Sequence, residues 1–383
     1  IHDEVSMRGM EGHFLVGNTL INMYSKSGLI LKAKEQFEKL KVRTMVSWTA
    51  LIVGYADNGY PKEALHCLEE MQREGISADA ATYICSLKAC CCLGAIGKGR
   101  EIHGEICKSG FEDDTLISTL IDMYAKSGSL VEARYLFCKL RDGDVVLWTS
   151  LIAGYAENEQ SEEALRLFAQ MQHCAIYPDN VTFAFVLKAC GSIGAQGKGQ
   201  EIHTILATGE MELDLLSGNS LIDMYVKCGM ISNAHEAFNK LSTRDVASWT
   251  TLMTGFVEHH FNREALDCFE KIPYDNISPD EIAYSCALKA CGNSRAISKA
   301  EEIHAEIVIK GFEGDLAVSS TLVGMYVKCG LLVEAREVFD SLQVQNVVLW
   351  NALIGGFVEH GLNEDALDCL QKMEHEGVSP HVV

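Results

Sequence analysis

His103 and Glu105, and again His304 and Glu306, stand in the His-x-Glu order that opens a zinc nucleotide deaminase motif. There the histidine holds the metal and the glutamate shuttles protons. The same chemistry needs a Pro-Cys-x-x-Cys further on, to complete the metal shell with thiolates. None follows either pair, and the equivalent slot reads His203-x-Ile205. Gly97-x-Gly99 and Gly197-x-Gly199 imitate fragments of a phosphate loop, but no strand precedes them and the full motif is missing. Nothing else combines a nucleophile, a base and an orienting group. The sequence therefore assigns no catalytic residue, no metal ligand and no cofactor.

The 15 cysteines offer a second possible chemistry. Cys90, Cys190 and Cys291 each end a Leu-Lys-Ala-Cys string; Cys67, Cys268 and Cys369 share a slot with Leu167. Cys228 and Cys329 align with Ser27 and Ser127. Interchange with Leu or Ser suits a small buried side chain and would break a disulfide or a metal site. Cys90-Cys91-Cys92 is contiguous, and adjacent residues on a helix point apart. Free thiols in a reducing compartment are expected.

These residues recur because the whole chain recurs, with a period of 100 or 101 residues. Met23-Tyr24-Ser25-Lys26-Ser27-Gly28 returns from Met123, Met224 and Met325; Trp48, Trp148, Trp249 and Trp350 keep step, as do the Ile-His pairs at Ile1, Ile102, Ile202 and Ile303. Such self-similarity marks a solenoid, whose units bury apolar faces against their neighbours. Each period divides into three helical hairpins of 31, 35 and 34 or 35 residues. In the first, Leu20, Ile21 and Tyr24, then Ala33, Phe37 and Leu40, lie at helical spacing, with Gly28 breaking the chain between helices. The sequence opens on the Ile-His that elsewhere lies midway through a unit, so the protein is expected to extend upstream.

Composition narrows the partners. Lys plus Arg number 32 against 53 Asp plus Glu, a formal charge of −21 over 383 residues. This argues against indiscriminate polyanion binding and confines any nucleic-acid site to a local stripe. No run of about 18 apolar residues occurs, so no membrane partner is expected.

The Trp-Leu-Gly-Tyr pattern of tetratricopeptide repeats is absent. The three-length cycle instead resembles the pentatricopeptide repeat family, in its PLS subclass of P, long and short units. Val46–Tyr55, "Val-Ser-Trp-Thr-Ala-Leu-Ile-Val-Gly-Tyr", resembles a P unit; Leu87–His103 resembles an L unit; Asn18–Gly28 resembles an S unit. The resemblance covers essentially the whole chain: a partial L unit at 1–13; S units at 14–44, 114–144, 215–245 and 316–346; P units at 45–79, 145–179, 246–280 and 347–381; L units at 80–113, 180–214 and 281–315. It implies an all-α fold, an α-solenoid of helix-turn-helix repeats coiled as a right-handed superhelix.

The resemblance also implies a function: single-stranded RNA is bound one base per repeat, read by the fifth and last residues of a unit. In the P units these are Thr49 with Asp79, Thr149 with Asp179, Thr250 with Asp280, and Asn351 with His381. In the S units they are Asn18 with Thr44, Ser118 with Asp144, Asn219 with Asp245, and Ser320 with Asn346. An Asp only accepts hydrogen bonds and favours the ring N–H of G or U; Asn both accepts and donates, which suits A and C. A small hydroxyl at the fifth place leaves room for a purine, and the longer Asn reaches a pyrimidine. Val46, Val146, Ala247 and Val348, at the second place, would pack on the base plane. Lys26, Lys126, Lys227 and Lys328, thirteenth in the S units, would reach phosphates, or are ordinary solvated helix ends. Their P-unit counterparts Asp57, Glu157, Glu258 and Glu359 would repel a backbone. An Asp at a unit's end also suits a helix start on capping and dipole grounds alone, but three Thr/Asp pairs in register favour base reading. Of the L-unit fifth residues Ile84, Ala184 and Ser285, the first two have no hydrogen-bonding side chain, and all three are taken as unread. The expected site is Y-G-N-G-G-N-U-G-N-A-Y.

Within this family PLS arrays are associated mainly with C-to-U RNA editing in plant organelles, with catalysis in a C-terminal extension. This chain, ending at Val383, is thus expected to be a reader and not an enzyme, in a mitochondrion or chloroplast, the mitochondrion preferred. Small organellar editing-factor proteins that grip L units are the partner the resemblance adds. Two alternatives remain: a protein-binding scaffold of tetratricopeptide type, which the acidic surface suits, and an RNA-stability factor without editing. Thiol titration of the denatured protein should return all 15 cysteines, and metal analysis no stoichiometric zinc; one bound zinc per chain would reopen the deaminase reading.

Overall fold

The computed structural model describes residues 13–110, 113–140, 143–208, 213–342 and 345–378. The partial L unit expected at 1–13 lies, except for His13, outside them. Among the described residues are 22 α-helices, two short 3-10 turns and no strand. The chain falls into two compact units, 1–189 and 190–383. The first holds the hairpins α1/α2 (Phe14–Lys26, Ile30–Glu38), α3/α4 (Met45–Asp57, Pro61–Arg73), α5/α6 (Ala80–Leu93, Ile96–Ser109), α7/α8 (Asp114–Lys126, Leu130–Lys139) and α9/α10 (Val145–Glu157, Ser161–His173). The division falls within α11 (Asn180–Ser192). The second holds α12 (Gln196–Thr208), α13/α14 (Leu215–Lys227, Ile231–Lys240), α15/α16 (Val246–Glu258, Asn262–Lys271), α17/α18 (Glu281–Ser294, Ile297–Lys310), α19/α20 (Leu316–Cys329, Leu332–Ser341) and α21/α22 (Val347–Glu359, Asn363–His375). This is an all-α solenoid of helical hairpins.

First helices stack on first helices: α1, α3, α5, α7 and α9 in sequence in one unit, and α13, α15, α17, α19 and α21 in the other. Within each unit, α2, α4, α6 and α8, and α14, α16, α18 and α20, pack on their own first helices and touch the next. Accordingly α3 buries Trp48, Leu51, Ile52, Gly54 and Tyr55 along one side, and α4 buries Ala64, Leu65, Cys67, Leu68 and Met71 along one side.

Three repeated contacts account for the repeated residues. Each tryptophan meets a phenylalanine of the preceding hairpin edge to face: Phe37–Trp48, Phe137–Trp148, Phe238–Trp249 and Phe339–Trp350, with ring centroids 4.5, 4.7, 4.6 and 4.5 Å apart. Such pairs contribute about 0.5–1.5 kcal/mol beyond their area burial. Histidine of the Ile-His pair meets tyrosine of the Met-Tyr pair, Nδ1 to hydroxyl: His103–Tyr124 at 2.9 Å, His203–Tyr225 at 2.6 Å and His304–Tyr326 at 2.7 Å. Burial pushes all three histidines below the usual imidazole pKa. Third, the glycine before each aromatic of α3, α9, α15 and α21 lets two first helices touch. A Cβ on Gly154 would stand 2.7 Å from the Ala125 Cβ and 3.0 Å from its Cα, and Gly54, Gly255 and Gly356 face Ser25, Val226 and Val327 in the same way.

The motif fragments resolve into packing. Glu105 accepts from the Gln72 amide and Glu306 from the Tyr284 hydroxyl, while their histidines hold tyrosines. Among the described residues no group of three or more His, Cys, Asp or Glu could hold a metal ion. Gly99 and Gly199 are small because the Met123 and Met224 sulfurs would lie 2.7 and 2.5 Å from a Cβ. Gly28, Gly128, Gly229 and Gly330 do turn the chain between helices, at φ +73°, +75°, +72° and +77°, where other residues are strained.

All 15 cysteines are free. Burial pushes Cys90 to about 11 and Cys190 and Cys291 to about 12, so these thiols are protonated and poor nucleophiles at neutral pH. The slot shared by Cys228, Cys329, Ser27 and Ser127 departs from the buried position expected: it lies at a helix end, and of the four only Cys228 is buried. No described helix is long and apolar enough to cross a membrane.

Adding one methyl at two glycines tests the close approach. Gly154→Ala should lower stability by roughly 1–3 kcal/mol, the cost of overpacking. Gly104→Ala, where a Cβ meets nothing within 4 Å, should raise it by about 0.5–1 kcal/mol. Chemical denaturation followed by circular dichroism reads both; equal stability of the two variants would refute the contact.

Candidate nucleic-acid interface

The seven described residues singled out at unit ends sit where one hairpin hands over to the next, and there they cap helices. Asp79, Asp179, Asp245 and Asp280 each accept, through Oδ1, the backbone N–H of the residue three further on, at 2.8 Å. Asp144 does so at 3.0 Å and Asn346 at 2.9 Å. Thr44 forms a capping box with Ser47. Side-chain oxygens at this place satisfy amides that the first turn leaves unpaired. The capping alternative is therefore real, and it leaves each Asp a second oxygen.

Fifth residues are brought to these caps unequally. The Thr49 hydroxyl donates to Asp79 Oδ1 at 3.3 Å and lies 2.8 Å from the Thr82 hydroxyl, which donates to the same Oδ1 at 2.7 Å. Thr149 reaches Asp179 through Thr182, with contacts of 2.6 and 2.7 Å. The Asn219 amide donates to Asp245 Oδ1 at 3.3 Å. Burial raises the Asp245 carboxyl, but bonds from the Ser248 hydroxyl and amide and from Asn219 outweigh it, and its pKa lies below the usual carboxylate range. Other pairs are not joined. Thr250 bonds to the Ala247 carbonyl, and Ser118 and Ser320 to the carbonyls of Asp114 and Leu316. Asn18 and Asn219 each keep a buried Oδ1 with no partner. Asn351 is half-buried, and its partner His381 lies outside the described residues.

Sequence reasoning misses Ser47, Thr82, Thr182 and Ser248, because each belongs to the unit after the cap it touches. The Ser248 hydroxyl, for example, donates to Asp245 Oδ1 at 2.7 Å. A signal for them does exist: a Ser or Thr three places after the cap, which is the capping-box spacing.

Beside the caps runs a row of exposed apolar side chains. Val46, Val146 and Val348 are 55, 61 and 62% exposed, and Ala247 is exposed too. Leu15, Leu216 and Ile282 hold the same second place and are at least half exposed; sequence reasoning passes over them. An apolar surface beside a fixed acceptor can hold a planar base by its face while the acceptor meets its edge. Three of the four lysines are engaged within the protein. Lys126 and Lys227 are bound to Asp122 and Asp223 at 2.8 and 2.7 Å, and Lys328 donates to Asn293 at 2.9 Å. Lys26 is exposed, as are Asp57, Glu157, Glu258 and Glu359.

Comparison with known proteins fits this geometry. The sequence profile of the PPR repeat family matches residues 43–92 and 143–192, and that of the PPR repeat matches 18–44, 117–145, 219–246, 247–277, 318–347 and 348–378. The chain is 32% identical to pentatricopeptide repeat-containing protein At4g39530 of Arabidopsis thaliana, over 100% of its own length and 46% of the relative's. It is equally identical to the chloroplastic protein At1g11290 of the same plant, over 100% and 48%. The chain thus spans about half the length of these curated relatives. A crystal structure of PPR10 in complex with an 18-nt psaJ RNA element has the same fold, at a TM-score of 0.82 and 18% identity, over 99% of this chain and 57% of that one. With profile matches over more than half of its residues, the chain belongs to the pentatricopeptide repeat family.

Proposed function

We propose that this chain is a sequence-specific reader of single-stranded RNA, of the PLS subclass, which specifies sites of C-to-U editing in a plant organelle. The observation that carries the reading is the joint itself. Thr49 with Asp79, Thr149 with Asp179, and Asn219 with Asp245 meet at hairpin boundaries, directly or through Thr182, beside an exposed apolar residue. The psaJ RNA element bound in the PPR10 complex supports the ligand class. Relatives carry chloroplastic or mitochondrial names, so the proposal extends to either organelle.

The caps say how a base would be read. Helix N–H groups hold Oδ1 of Asp79, Asp179 and Asp280, which leaves Oδ2 to accept from the ring N–H of G or U. Asn219 spends its amide on Asp245 and keeps Oδ1 as an acceptor. With Lys126 and Lys227 paired to carboxylates, recognition rests more on base edges and stacking than on phosphate. Units would be read from the N-terminus along Y-G-N-G-G-N-U-G-N-A-Y.

Two substitutions separate capping from reading. Asp179→Asn keeps a capping oxygen and turns an NH2 donor toward the base, matching the N1 acceptor of adenine. The fifth nucleotide should change from G toward A, with each mismatch costing roughly 1–3 kcal/mol, as in DNA readers, and the melting temperature should stay close to that of the parent. Asp179→Ala should lose about 1 kcal/mol of stability with the cap, and lose discrimination at that nucleotide. Fluorescence anisotropy with single-base variants at fixed salt measures both. Equal weakening of every RNA by Asp179→Asn would make Asp179 structural.

A further inference from the structure

We infer that a groove between the second helices α14 and α16 takes the guanidinium of an arginine presented by a partner protein. It includes none of the residues assigned to base reading, so the inference stands apart from that proposal. The groove measures about 250 Å³ and is lined, among others, by His235 of α14, Phe256 of α15, and Phe261, Glu264, Asp267 and Lys271 on or beside α16.

The occupant is indicated by the copy of this joint one period earlier. There Arg134 stands where His235 does, Glu163 where Glu264 does, and Arg166 where Asp267 does. The Arg134 guanidinium reaches from α8 to α10 and donates to Glu163 Oε2 at 3.3 Å. The Tyr155 hydroxyl beside it raises the guanidinium pKa above its usual value, against the opposing effect of burial, and Glu163 adds to the rise. That joint therefore carries its own arginine, seated on a carboxylate.

Between His235 and Asp267 the same arrangement is emptied and made more acidic. His235 is shorter than arginine and lies exposed, its ring edge to face with Phe256 at 5.9 Å. Arg166, which also donates to Glu163, gives way to Asp267. Glu264 and Asp267 stand one turn apart on α16, exposed, hydrogen-bonded to nothing and paired with no cation among the described residues. The carboxylate that holds an internal guanidinium is thus kept and a second is added, while the guanidinium itself is gone.

The walls favour arginine over lysine. Phe261 is 44% exposed, with its ring 6.3 Å from that of Phe256. A flat guanidinium can lie against such a face and fork to carboxylate oxygens, which a compact, strongly hydrated ammonium does less well. Lys271 offsets one of the two carboxylates and leaves the other for a ligand. Neighbouring periods do not offer the place. Arg336 keeps an arginine there, 3.9 Å from Asp340 of its own helix, and Lys34 and Lys62 line the first copy, where they repel a further cation.

Methyl NMR of isoleucine-labelled protein tests this, because Ile231 lines the groove. Acetyl-Gly-Arg-Gly-amide is the probe, and the same peptide with lysine or with citrulline, which has arginine's shape without its charge, is the control. The arginine peptide should shift the Ile231 methyl signal saturably, with a Kd of roughly 1 mM for a single cation contact. The lysine peptide should bind more weakly and the citrulline peptide should not saturate. Glu264→Gln should weaken arginine binding about tenfold, by loss of one charge-assisted contact. His235→Arg should abolish it, because the new side chain fills the groove as Arg134 does. Both positions are exposed, so neither change disturbs the core. Equal binding of the lysine or citrulline peptide, a shift that survives His235→Arg, or no saturable shift would each overturn the inference.

Discussion

A carboxylate, carboxamide or hydroxyl at the end of one hairpin holds the first turn of the next, and the rest of the structure is arranged around that bond. Among the described residues, seven such caps stand between Thr44 and Asn346 at the ends of the units assigned to base reading. Asp113, Asp214 and Asp315 cap the helices that follow the other three. Each fixes where a first helix begins, and with it the level of that helix's exposed second residue and of its fifth residue, although only some fifth residues reach the cap that ends their own unit. On the proposed reading this is what makes a regular code possible: the acceptor that meets the base is immobilised by the backbone before any RNA arrives. Preorganised acceptors lose little freedom on binding, which favours specificity without many contacts.

Between the caps, cohesion is local. The Phe–Trp edge contacts, the His–Tyr bonds and the glycine contacts all join a hairpin to its immediate neighbour. Stability in such an array is close to a sum of unit and nearest-neighbour terms. The copies are not equivalent, however. Trp48 and Trp249 donate their indole N–H to Glu74 and Asp275 at 3.2 and 3.1 Å, whereas the Trp350 nitrogen is buried without a partner. Arg43 and Arg244, from the preceding hairpins, reach these same carboxylates at 3.1 and 3.9 Å and so tie the hairpins together. The joints at Trp48 and Trp249 thus carry polar ties that Trp350 lacks, and the array has stronger and weaker seams.

Much of this is legible in the sequence because its period repeats the same physical contact. Four tryptophans in step announce a contact made four times, and Gly28 and its copies announce the turns. What stays hidden crosses the unit boundary. Spacing marks Thr82 and Thr182 as partners of the caps Asp79 and Asp179, but their contacts with Thr49 and Thr149 show only once the helices are stacked. The pairing of two lysines is legible too: Asp122 and Asp223 stand four residues before Lys126 and Lys227, a spacing that pairs charges on a helix. His235 shows the opposite limit. Its residue type is plain in the sequence, but only the structure shows the groove left open beside it, where its counterpart Arg134 reaches Glu163.

The acidic charge and the proposed ligand are reconciled by where attraction is placed. Phosphate contacts add affinity for every sequence alike and so do nothing for choice. Here the exposed Asp57, Glu157, Glu258 and Glu359 oppose a polyanion, and two of the four expected lysines are neutralised within their own helices. On the proposed reading, a chain built in this way would hold a non-cognate strand weakly. Binding would then depend on several base contacts made together, each worth only about 1–3 kcal/mol by the measure of other nucleic-acid readers. Losing a few of them would release the strand, so an acidic array trades general affinity for discrimination, and its selectivity grows with the number of hairpins in register.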